Sequence, residues 1–215
     1  MNRKFLLAVA ALLVGSQANA HEVWLEQADI GTARVFLGEP DYPVPPGGDK
    51  EFPRLKAPLV FRGDPAKAAT LVRRADHLEA DVPGTGDIRL RDGAIFDPER
   101  GEDGTYSARI YYAKAGRVET RAVLDLEIVP QQSGTNSFQI IFKGAPASRE
   151  GVRIIRPDGW LKNIKSDDAG RFAVPTELNG QYLIYVDHDE KTDVLQGAMR
   201  VSKITHVATL TFVQP

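Results

Sequence analysis

The sequence predicts an all-β protein, and three observations carry that expectation. Short runs alternate apolar and polar residues, as in 121–129, where Ala122, Leu124, Leu126 and Ile128 share one side. Turn signals rich in Gly, Pro, Asp and Asn interrupt such runs every several residues. No stretch after residue 20 holds the three-to-four spacing of a long amphipathic helix, and no βαβ alternation or internal repeat stands out. Many short strands of this kind build β-sandwiches, so two consecutive sandwiches of immunoglobulin-like architecture are expected.

Residues 1–20 have the three parts of a secretory signal peptide. Asn2-Arg3-Lys4 is the basic start, residues 5–14 are the apolar run, and Ala18-Asn19-Ala20 is an A-x-A cleavage signal. The run is shorter than the roughly 20 apolar residues that span a bilayer, and no later stretch reaches that length. The expected product is a soluble periplasmic chain that begins at His21, with 195 of the 215 residues. It has no Cys to carry a lipid anchor.

Strands are expected at 23–26 and 33–37, around Gly31. Five prolines and three glycines across 38–53 then make a loop that cannot join a ladder. Asp64-Pro65 offers the cap of a brief helix, after which 70–72 and 77–82 suit strands. Residues 87–90, 105–113 and 121–129 complete a first unit, 21–130. The polar, turn-rich Pro130–Thr135 marks the boundary. A second unit, 131–215, follows with strands near 138–142, 152–155, 160–165, 171–174, 180–186 and 208–213. Leu124, Leu126 and Ile128 are expected in the first core; Phe142, Ile154, Leu210 and Phe212 in the second.

Composition narrows the function. The formal charge is −2, and −4 once Arg3 and Lys4 are removed, which argues against nucleic acid or anionic lipid as a partner. With no Cys, stability must come from burial rather than disulfides. No G-x-S-x-G, P-loop or H-E-x-x-H is present, so the chain is expected not to be an enzyme of those classes. Asp167-Asp168-Ala169-Gly170 falls short of a calcium loop and reads as a turn.

The chemically unusual residue is His21. A free α-amine titrates at about 7.7–8.0, low enough to be partly deprotonated in neutral medium. With the amine and Nδ1 of one residue closing a ring on a cation, His21 would supply two nitrogen ligands, a set that copper or nickel favours over water. The bland alternative is that cleavage must expose some residue. The other histidines are His77, His188 and His206. His77, beside Asp76 and Glu79, lies in the same half as His21; on its own it reads as a half-exposed strand residue. His188 sits in the acidic stretch 187–190, and His206 shares its face with Ala208, Leu210 and Phe212, as a hydrogen-bonded residue at the core's edge. Tyr111 and Tyr112 should point to opposite faces, one buried and one turned outward. Trp24 and Trp160 read as core or edge aromatics.

Several of these stretches carry a resemblance. His-Glu-Val-Trp-Leu-Glu at 21–26, Ala-Arg-Val-Phe-Leu-Gly-Glu-Pro at 33–40 and Arg-Arg-Ala-Asp-His at 73–77 belong to it. So do Tyr-Tyr-Ala-Lys-Ala-Gly-Arg at 111–117, Leu-Glu-Ile-Val-Pro at 126–130 and Ala-Thr-Leu-Thr-Phe at 208–212. Over nearly all of the expected mature chain, the sequence resembles a bacterial periplasmic family described as nickel/cobalt-uptake-type substrate-specific components, or as a domain of unknown function. The second half is also similar to small β-sandwich modules of surface adhesins and carboxypeptidase tails, which implies architecture alone.

The expectation that follows is a non-catalytic periplasmic protein that binds nickel, cobalt or copper and assists transition-metal uptake or handling. His21 would give amine and imidazole, His77 the third nitrogen, and His188 or a carboxylate would complete the set. A membrane transporter or outer-membrane receptor would be the protein partner. Two other readings are a β-sandwich module that binds protein or glycan through its loops, and, ranked last, a copper oxygenase with a tyrosine in an axial position.

Overall fold

The structure, a computed structural model, describes residues 21–196 and 198–215. The expected signal segment lies outside the described residues. Strands dominate, and no α-helix occurs among the described residues. In chain order the first eight strands are β1 (Glu22–Asp29), β2 (Thr32–Gly38), β3 (Leu59–Arg62), β4 (Thr70–Arg73), β5 (Leu78–Asp81), β6 (Ile88–Asp92), β7 (Glu99–Arg100) and β8 (Tyr106–Ala115). The rest are β9 (Leu126–Pro130), β10 (Ser137–Phe142), β11 (Ala145–Pro146), β12 (Gly151–Ile155), β13 (Leu161–Lys165), β14 (Arg171–Ala173), β15 (Gly180–Gln196) and β16 (Met199–Gln214). The fold is all-β.

An eight-stranded sheet, ordered β13-β12-β15-β16-β8-β6-β3 with β7 also on β8, forms the middle of the molecule. Its strands pair antiparallel except β16 and β8, which run parallel with Val207 beside Tyr111. Side chains alternate across it. Val60, Ile88, Leu90, Tyr111, Ala113 and Val207 enter one core, under the sheet β1-β2-β5-β4. Phe61, Tyr112, Ile184, Val186, Ala208 and Leu210 enter the other, under β9, β10, β11 and β14. Two sandwiches thus share their central layer.

That shared layer explains three differences from expectation. Tyr111 and Tyr112 do face opposite ways, but each is only 1% exposed, because both faces of β8 are covered. Leu124, Leu126 and Ile128 pack in one cluster with Phe138, Ile154, Leu210 and Phe212, since β9 pairs with β10. Hydrogen bonding is therefore continuous across the turn-rich stretch that begins at Pro130, and β8 and β16, from opposite sides of it, are neighbours. Residues 121–125 alternate yet are not a strand; β9 begins only at Leu126. Asp64 caps a turn rather than a helix, its Oδ1 accepting from Ala66 N at 2.9 Å. Trp160 is 60% exposed, with Arg156 over its ring.

One polar network is sealed inside the second sandwich. Arg89 on β6 and Lys114 on β8 are register partners, and both side chains are buried. Glu127 on β9 meets Arg89 Nε at 2.9 Å and Lys114 Nζ at 3.4 Å. Its second oxygen accepts from Val123 N at 2.7 Å and Leu124 N at 3.0 Å. Asp87 pairs with Lys114 at 3.0 Å and accepts from the main chain of Val118 and Glu119. Its carboxylate crowds Gly116, whose φ of +107° suits only glycine. Four buried ions thus tie the 116–124 connection to the sheets. Strand propensity says nothing about this stretch; charge pairing holds it.

Candidate functional site

His21 stands at the start of β1, where the ladder with β2 ends at the Glu22–Gly38 pair. The Pro- and Gly-rich loop after β2 folds back over this end. Gly48, at φ +88°, lies so close to Asp76 that a Cβ would come within 3.0 Å of the Asp76 Cα. The next residue, Asp49, is thereby seated against His21. Its Oδ1 accepts from Glu51 N at 2.7 Å, which fixes the carboxylate. His21 Nε2 lies 3.1 Å from that oxygen, close but without an aligned hydrogen bond. The ring is nearly sealed, its side chain 7% exposed, and Nδ1 has no hydrogen-bond partner.

His77, just before β5 and two strands from β1, also meets a carboxylate. Its Nδ1 meets Asp76 Oδ1 at 2.7 Å, and its ring tilts on Phe36, which stacks on Trp24. The two histidines' carboxylate partners, Asp49 and Asp76, meet through Gly48 at one end of the four-stranded sheet. Among the described residues, no group of three or more His, Asp or Glu side chains is gathered as a metal cage.

His188 belongs elsewhere. It is the cross-strand partner of His206, on the face of the central sheet away from β1, with Phe142 against both rings. Its Nδ1 meets Glu150 Oε1 at 2.7 Å. His206 is only 2% exposed and held at both nitrogens, Nδ1 by the Tyr112 hydroxyl and Nε2 by Glu190, each at 3.0 Å. Burial pushes its pKa down, against the pull of Glu190. His206 thus occupies a satisfied position at the core's edge.

Glu22 is the acid that sequence reasoning passed over. It is 5% exposed, its Oε2 has no hydrogen-bond partner, and it faces Asp187, Arg109 and Arg153. Burial, then Asp187, raise its pKa well above the usual carboxylate range. The folded chain therefore holds the Glu22 proton more tightly than the unfolded chain. Stability from this group is complete below the unfolded value near 4.5 and is lost as pH rises through the folded value. Glu22→Gln should melt higher than the parent at pH 7, with the gap closing toward pH 4, in metal-free thermal scans. An equal gap at both pH values would show that Glu22 titrates normally.

Asp49, the partner of His21, was likewise not singled out, whereas Asp76 stands directly beside His77 in the sequence and orients its ring as expected of an adjacent carboxylate. The available signal was an acid directly after paired glycines in a proline-rich loop; the contact itself depends on how that loop folds. No family model matches the chain, and no relative is found among curated proteins.

Proposed function

We propose that this chain is an exported, non-catalytic protein that binds a divalent transition metal, copper or nickel, at the amine and imidazole of a mature N-terminal His21. One observation carries the reading. The ring nitrogen that such a chelate needs, Nδ1, is buried without a hydrogen-bond partner, while Nε2 faces the fixed carboxylate of Asp49. Histidine ligands are commonly oriented by a carboxylate on the nitrogen away from the metal. His77, with Nδ1 held by Asp76, offers its Nε2 as the third nitrogen. This donor set uses a main-chain amine and only two side chains. The metal is cargo in this reading, and a membrane transporter or outer-membrane receptor would take it on.

The protein recovered from the exporting cell tests the reading in one experiment. Intact mass spectrometry should find the chain starting at His21 and, after metal loading, one equivalent of metal. Retention of Met1, or cleavage at another residue, would remove the chelate and leave the loop-binding module as the better account.

A further inference from the structure

Beside the His21 end of the molecule, the loop after β2 and the end of β4 border an open cleft of about 600 Å³. Lys50, Lys56, Arg73 and Arg74 line it, against the single carboxylate of Asp49. This is the reverse of the whole chain, whose formal charge is −2. Arg74 is partly committed, pairing with Glu79 at 2.6 Å. Lys50 and Lys56 are exposed and have no ion-pair partner among the described residues. Arg73 is held in place: its guanidinium lies 4.6 Å from the Phe52 ring centroid and donates to the Leu55 carbonyl. Phe52 and Leu55 are themselves core residues, so the cation stands on a rigid wall.

We infer that this cleft is a binding site for a small multivalent oxyanion, a polycarboxylate or a phosphate. Cations of one sign gathered along one concave surface raise the local concentration of the opposite charge. Arg73, anchored by an aromatic face and a carbonyl, loses little freedom when an anion arrives. The two lysines supply further point charges that no ion pair engages among the described residues. The cleft is large enough for a ligand with several acidic groups, and a single carboxylate would leave most of the charge unmatched. The site does not depend on metal at His21.

Calorimetric titration of the metal-free protein with citrate, inorganic phosphate and acetate tests this. Citrate or phosphate should bind at low ionic strength and weaken on going from about 20 to about 200 mM salt, since exposed charges are screened. The tighter of the two identifies the site as one for polycarboxylate or for phosphate. Lys50→Gln/Lys56→Gln should lose at least about tenfold in affinity while keeping the parent melting temperature, because both side chains are exposed. A form with one extra Ala before His21 should bind the anion as the parent does, which separates this site from the metal reading. Absence of binding by both anions at low salt, parental affinity in the double variant, or equal affinity for acetate would overturn the assignment.

Discussion

Glu127→Ala is expected to cost about 3–5 kcal/mol of folding stability, the range for breaking a buried ion pair by removing one partner. Glu127 is 1% exposed and serves four groups: Arg89, Lys114 and the main-chain N–H of Val123 and Leu124. Its loss leaves two buried cations facing Asp87 and the partly exposed Glu119, and strands two donors under Leu124. Glu127→Gln keeps an acceptor in place and should cost less. Urea unfolding of the two variants measures the difference. A loss below about 1 kcal/mol for the alanine form would place Glu127 among surface ion pairs instead.

Phe138→Ala should lose about 3–5 kcal/mol as well, the usual range for emptying a buried aromatic site. The ring is fully buried, 5.7 Å from Phe172 and 5.6 Å from Phe212. The more telling outcome is where the loss is felt. Trp24, 4% exposed on β1, packs with Phe36 in a separate cluster against Ile155, Leu183 and Tyr185, whereas Trp160 is already exposed. Because β8 and β16 are joined in one sheet, Trp24 fluorescence and far-ultraviolet dichroism should shift together to lower denaturant in this variant. Separate transitions, with Trp24 unmoved, would mean that the Trp24 cluster unfolds independently of the Phe138 core.

Much of the fold was legible because alternation and turn residues are local signals. The 38–53 loop, the turn at Asp167–Gly170 and the strands of the second half follow from them directly; Asp167 Oδ1 accepts from Ala169 and Arg171 there. What escaped is non-local. The parallel pairing of β16 with β8 joins residues about a hundred positions apart, and nothing in either strand announces its partner. That pairing decides the burial of Tyr111 and Tyr112 and the sharing of the central sheet. The candidate site divides the same way. The residue type at His21 is visible in the sequence, and so is His77. Asp76, the neighbour of His77, is visible as well, but Asp49 reaches His21 only because a long loop closes over the sheet end, and the placing of His188 on the far face depends on the strand register.

The carboxylate beside His21 makes a further graded prediction. Asp49→Asn keeps the size of the side chain but weakens the preference for a proton on Nε2. Metal affinity should fall by about 10–100-fold, the usual effect of losing a partner that orients a ligand. Unchanged affinity would show that Asp49 only packs the loop.

The most direct measurement compares copper or nickel titration of protein beginning at His21 with the same protein carrying one extra Ala before it. Both forms have an amine and an imidazole, but only the first can join them in one chelate ring. The insertion should lower affinity at least tenfold, about 1.4 kcal/mol. In the parent, affinity should also fall as pH drops, because both nitrogens must be deprotonated to bind. Equal binding by the two forms would contradict the account and leave His21 as merely the place where the signal segment ends.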